Sequence, residues 1–208
     1  MKTLRHSRRT QLGISLVEIS IAAVVISAVL LGILVGLPKL QLDQRLNKAR
    51  QEVPLVLNTM MVAYATQPNT LGANTQILSA ANAWPNERVR NRGLANVTVS
   101  GVFPGSTEHV FANTVTTALR LTRAGDGFTY WIRNIPSQAC LPLVQLLISQ
   151  RGVVEVSVGA ATLNPGGGRA STVVSQYQNS GLSANMSTAT TACSAAGNKS
   201  VVALVSRA

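Results

Sequence analysis

Three features of the sequence predict an α+β fold, in which a long N-terminal helix packs on an antiparallel sheet. The first is an uncharged run from Ile19 to Pro38. The second is the single apolar stripe that follows it. Leu42, Leu46, Ala49, Val53, Val56, Met60 and Ala63 are spaced four and three apart, as one face of a helix requires. The third is a series of short alternating segments separated by Gly, Pro and Asn, the pattern of strands joined by turns. One long helix followed by strands, a short helix and more strands segregates helices to one side of a sheet.

The uncharged run is 20 residues long, about 30 Å as a helix, which is enough to cross a bilayer core. Lys2, Arg5, Arg8 and Arg9 precede it with no acid among them, so this end is expected on the cytoplasmic side. A conventional secretory signal is cut at a small-residue site soon after its apolar run. Leu37-Pro38-Lys39-Leu40 offers no such site. Ala63-Tyr64-Ala65 is the first and comes too late, so the apolar segment is expected to be retained.

Glu18 stands at the start of this segment. A carboxylate there costs on the order of 2–3 kcal/mol or more if it is taken into the bilayer. One reading is an interfacial acid that reaches water and is favoured by the helix dipole. The other is an acid that awaits a cation supplied on assembly. Pro38 and Pro54 each remove a backbone donor and are expected to kink or break the helix. They are passive bends, or else Gly32–Pro38 loosens when subunits pack. Lys48 and Glu52 have i,i+4 spacing off the stripe.

Beyond the helix, residues 67–95 are expected to form a connection with a short helix near Gln76–Ala83, anchored by Trp84-Pro85. Strands are expected at Val97–Phe103, Val115–Thr122, Phe128–Ile132, Val153–Val158 and Ser200–Val205. Ala124-Gly125-Asp126-Gly127 fits a hairpin turn between the second and third of these. Pro136–Gln150 has helical spacing, with Gly152 as its stop. Asn164–Gly168 and Asn179–Ala196 are expected to be loops.

The chain has 208 residues and a net charge of +11; removing the four leader cations leaves +7. A basic chain can bind nucleic acid, but aromatic residues are only 4%, so stacking platforms are scarce and nucleic acid is not an expected partner. Arg88, Arg90 and Arg92 alternate, as on one side of an extended segment. They fit a solvated loop edge, a contact with an acidic patch on a neighbouring subunit, or a nucleic-acid contact. His6 lies in the leader and His109 stands alone, so no histidine pair is available for acid–base chemistry. The acids other than Glu18 form no metal or glycosidase motif. Asn164-Pro165-Gly166-Gly167-Gly168-Arg169 lacks the Lys-Ser/Thr ending of a phosphate loop. No enzyme, cofactor or metal is expected. Cys140 and Cys193 are the two cysteines. In an exported domain they are expected to form one disulfide, closing a loop of about fifty residues and contributing roughly 4 kcal/mol; the alternative is two buried thiols.

Gly13-Ile14-Ser15-Leu16-Val17-Glu18, behind a short basic leader and ahead of an apolar run, resembles the processing site of type IV prepilins. The resemblance implies cleavage after Gly13 by a prepilin peptidase. Ile14 becomes the new terminus, a candidate for N-methylation, and Glu18 the acid that neutralises a neighbour's terminal amine during filament growth. Ile14 stands where the commonest pilins carry phenylalanine, which points to the type IVb group. Asn134-Ile135-Pro136-Ser137-Gln138-Ala139-Cys140-Leu141-Pro142-Leu143 is similar to the N-(V/I)-P-x-x-A-C stretch of thin-pilus pilins, which also carry a second cysteine near the C-terminus.

The organisation expected from this is a leader over 1–13, a long helix over 14–66 with 14–37 as transmembrane segment and filament core, and a head over 67–208. The type IV pilin fold is implied, with partners to match: identical subunits, a prepilin peptidase, an assembly ATPase and an inner-membrane platform protein. The implied location is the bacterial inner membrane, with the head in the periplasm, and then an extracellular pilus. Other functions remain open: a minor pilin, a pseudopilin of type II secretion, or a monomeric membrane-anchored binding module.

Overall fold

A computed structural model describes residues 15–114, 121–162, 168–178 and 181–207. The chain divides into two compact units, Met1–Leu42 and Asp43–Ala208. The first helix, α1, spans Leu16–Ala63 and so enters both. Pro38 and Pro54 both lie inside it, and neither ends it.

In the first unit the described part of α1 is exposed apart from the half-buried Gly36 and Leu42, and the helix is long and apolar enough to cross a membrane. Fourteen large apolar side chains from Leu16 to Leu40 are 48–82% exposed. Gly32 and Gly36 face open space, so nothing among the described residues needs them to be small.

In the second unit the middle of the predicted stripe is the inner face of the helix, while Leu46 is half-buried and Ala63, its last member, is exposed. Ala49, Val53, Val56 and Met60 are buried, together with Leu57. Each large side chain removed from water in this way contributes roughly 1.5–3 kcal/mol.

The expected α+β architecture is the one observed. The chain continues through α2 (Thr75–Ala80) and a 3-10 turn (Asn86–Arg88) into β1 (Val89–Arg90), β2 (Thr98–Ser100), β3 (Thr107–Ala112) and β4 (Gly127–Ile135). Then come α3 (Ser137–Ile148), β5 (Val153–Ala160), β6 (Thr172–Gln178), β7 (Gly181–Ala184), α4 (Met186–Ser194) and β8 (Lys199–Ser206). The strands form one eight-stranded sheet in the order β1-β2-β3-β4-β8-β5-β6-β7. All neighbours are antiparallel.

Alternation assigns the faces. Phe128, Tyr130 and Ile132 of β4 lie opposite Val205, Ala203 and Val201 of β8, and all six are buried. Tyr64, just past the end of α1, packs edge-on against Phe128 at 5.4 Å between ring centres. This face therefore meets the helix. The opposite face carries Trp131 and Val202, which cluster with Ala170, and Leu204, which clusters with Leu121 and Val154.

The last strand to be made, β8, lies in the middle of the sheet. The α3 crossover from β4 to β5 leaves a gap between two parallel strands, and β8 fills it. Cys140 of α3 is bonded to Cys193 of α4, with Cα atoms 5.5 Å apart and a sequence separation of 53. The bond ties α4, the segment that delivers β8, to the crossover helix. Asn134, Pro136 and Cys140 act in this same region. Asn134 takes a left-handed φ of 57° at the irregularity in β4, and its side chain bridges Gly105 O and the Asn198 side chain. Pro136 stands at the N-cap of α3.

Several expectations change. The strand expected at Val97–Phe103 is the three residues of β2, and Gly101 closes against Ser106 instead. The hairpin expected between Val115–Thr122 and Phe128–Ile132 is replaced. Both edges of β4 are taken, by β3 and β8, so neither is left for the expected hairpin partner. Residues 115–120 lie outside the described residues. Ala124–Gly127 remains a turn, held by the Asp126 carboxylate, which accepts from the Thr122 and Arg123 amides at 2.8 and 2.6 Å. The segment Asn179–Ala196 is not one loop. It contains β7 and α4, whose first turn is capped by the Asn185 side chain accepting from Thr188 N. Residues 163–167 of the Asn164–Gly168 loop are outside the described residues.

Candidate functional site

The processing residues Gly13 and Ile14 lie outside the described residues. The neighbouring acid does not. Ser15 and Glu18 form a capping box at the start of α1. The Ser15 hydroxyl accepts from Val17 N at 3.3 Å, and the Glu18 carboxylate accepts from Ser15 N at 3.4 Å. The Ser15-Leu16-Val17-Glu18 spacing carries that signal in the sequence. In the single chain Glu18 is thus an exposed, weakly engaged anion at a helix N-terminus, where the dipole favours it. The carboxylate keeps lone pairs for a further donor.

The sequence reading missed a buried ionic centre in the head. Arg88 donates to carboxylates on two sides, Glu52 of α1 and Glu108 of β3. Its Nε donates to Ser100 O at 2.7 Å. Glu108 is 1% exposed and accepts two further bonds, from Trp84 Nε1 at 2.8 Å and Tyr130 Oη at 2.6 Å. The Tyr130 hydroxyl is pushed well above its ordinary pKa, first by burial and then by the Glu108 carboxylate, so it stays a donor. The centre joins α1, the 3-10 turn, β3 and β4. Trp84 anchors the connection as expected, and it does so through Glu108.

The alternating arginines therefore do not share one edge. Arg88 is 8% exposed and fully engaged. Arg92 donates to Ser79 O, Asn82 Oδ1 and Trp84 O, closing the connection on itself. Of the three, Arg90 alone is exposed. Glu52 reaches Arg88, so the i,i+4 spacing to Lys48 is not its recorded contact.

A second buried acid, Glu155, sits in the middle of β5 and is held by both ends of the Arg169 guanidinium at 2.6 Å. Burial pushes its carboxyl above the ordinary range, and Arg169 opposes that shift. Among the described residues, no group of three His, Cys, Asp or Glu side chains is placed to hold a metal. His109 is half-buried, its Nε2 against Thr107 Oγ1 at 3.2 Å. Burial and then the Arg133 charge lower its pKa, so at neutral pH it is an uncharged ring.

The head's acids are thus mostly spent internally: Glu52 and Glu108 on Arg88, Glu155 on Arg169, and Asp126 on its own turn. Asp43 and Glu87 are its exposed acids.

No protein-family model matches this chain, and no curated protein matches it. Among solved structures it is similar to a crystal structure of type IV b pilin from Salmonella typhi. The identity is 13%, the TM-score 0.47, and the match covers 77% of this chain and 99% of that one. A likeness of that size carries no conclusion about function.

Proposed function

We propose that this chain is a structural subunit that polymerises into a type IVb pilus of the thin-pilus kind. The observation that carries the reading is the first unit: a helix of exposed apolar side chains with one acid in its first turn. Such a surface is stable only against lipid or against other apolar helices. A prepilin peptidase cuts after Gly13, and the amine of Ile14 becomes a cation. The inner membrane holds the helix while the head stands in the periplasm. On assembly, driven by an ATPase and a platform protein, the helices pack together and Glu18 meets the amine of a neighbouring subunit. The extracellular filament then displays the heads. In this reading the protein binds partners and catalyses nothing, and its contribution to adhesion, aggregation or conjugation is made by the assembled surface.

The second reading is a monomeric anchored binding module, which needs the apolar helix but has no use for a charge at Glu18. Two substitutions separate them. Glu18→Gln keeps the capping-box geometry and removes the charge; Glu18→Ala removes both. Polymerisation through the charge requires both variants to insert in the membrane yet give few or no sheared filaments. Normal filaments from Glu18→Gln would reduce Glu18 to a helix cap.

A further inference from the structure

On the sheet face turned away from α1, the β1–β2–β3 end is open to solvent. Side chains alternate in and out along it: Val99, Glu108 and Val110 are buried, while Thr98 and Ser100 are exposed and Thr107, His109 and Phe111 half-exposed. Register sets the open ones side by side. Arg90 lies opposite Thr98, Ser100 opposite Thr107, and Thr107 opposite Arg133. The His109 and Phe111 rings lie within 17° of parallel, with centres 6.1 Å apart. Thr98, Ser100 and Thr107 also line a cleft of about 460 Å³ at this end of the sheet, together with Arg90 and with Arg45 of α1, whose guanidinium donates to Val102 O at 3.0 Å; the His109 ring adjoins it through Thr107 Oγ1 at 3.2 Å. No Asp or Glu lines it among the described residues.

We propose that this cleft and the adjoining rings bind an acidic saccharide. Hydroxyls at Thr98, Ser100 and Thr107 match the hydroxyls of a sugar. The His109–Phe111 pair offers apolar ring surface of the kind that packs on a sugar's C–H face. Arg90 supplies charge for a carboxylate, and a guanidinium can hold it with two parallel bonds; Arg45 and Arg133, which donate to Val102 O and Ala161 O at 3.0 and 3.3 Å, add to the positive field. The site needs no co-ligand, and the absence of acid in its lining leaves the cationic field uncancelled. A nucleic acid would find only two rings and few cations, which favours the sugar.

The assignment is independent of polymerisation, because every residue in it belongs to the second unit. It is tested on the full chain as a monomer in neutral detergent micelles. Trigalacturonate is titrated against the His109 and Phe111 ring resonances, with maltotriose and an oligo-dT of equal charge in parallel. The expected result is saturable binding of trigalacturonate, at least about tenfold tighter than either control. Arg90→Ser and Phe111→Ala should each weaken it about tenfold with the head's thermal transition unchanged. Failure to bind trigalacturonate overturns the proposal. So does equal binding of maltotriose, tighter binding of oligo-dT, or binding that survives Phe111→Ala intact, which would be charge attraction without a site.

Discussion

The two units of this chain handle their difficult residues in opposite ways. In Asp43–Ala208 nearly every one has a partner in the same chain: the stripe of α1 has the sheet, Arg88 has Glu52 and Glu108, and Glu155 has Arg169. In the described part of Met1–Leu42 the apolar side chains have water in place of partners, and Glu18 has only its own backbone. A folded domain that satisfies even its buried carboxylates does not leave fourteen large apolar side chains exposed by accident. In the proposed function the inner half of α1 is completed by another medium, first lipid and then copies of itself.

This contrast can be broken in the head by removing one partner. Arg88→Ala leaves Glu108 buried with its charge uncompensated, and should destabilise the head by about 3–5 kcal/mol. Urea unfolding of the full chain in micelles, followed by Trp84 and Trp131 fluorescence, measures it. A loss under about 1 kcal/mol would mean that the centre is open to water and that this account of it is wrong.

The same contrast predicts opposite responses to trimming along one helix. Met60→Ala, in the buried stripe, should cost about 2–5 kcal/mol in that unfolding experiment. Val25→Ala, in the inner half, should leave the head's transition unchanged and show itself only in filament yield. Equal effects on the head would mean that the inner half is part of the head's core.

The smallest effect is one of pH. Glu155 has a raised pKa in the fold, so its favourable contribution is present below the ordinary glutamate range and is lost as pH rises through the raised value. Glu155→Gln should flatten that fall in the urea midpoint. An unaltered pH profile would show that Arg169 fully offsets the burial.

The sequence made the helix legible because its two patterns are strong: an uncharged run, then a stripe at helical spacing. The strands at Phe128, Val153 and Ser200 were legible as β-branched or aromatic runs. The strand Thr107–Ala112 was not, because Glu108 on its core face spoils the apolar alternation. The helix Met186–Ser194 was hidden by Ser and Thr, whose helix propensity is low, and rests on its Asn185 cap and on the disulfide. The ionic centre could not be found from the arginine spacing, since alternation does not tell an exposed side from a buried one. The acid in Val153-Val154-Glu155-Val156 was a usable signal: a carboxylate inside an apolar strand has to have a cation, and Arg169 is it. At the N-terminus Glu18 was legible as an acid in the first turn of the helix; the amine proposed as its partner belongs to a neighbouring copy of the chain.

The central claim is that the chain becomes an assembly subunit when it is cut after Gly13. The most direct test is the intact mass and N-terminal sequence of the mature protein isolated from membranes and from sheared surface material. The account predicts a chain that begins Ile14-Ser15-Leu16 in both fractions. A mature chain that retains Arg8 and Arg9, or that begins beyond Glu18, would contradict it.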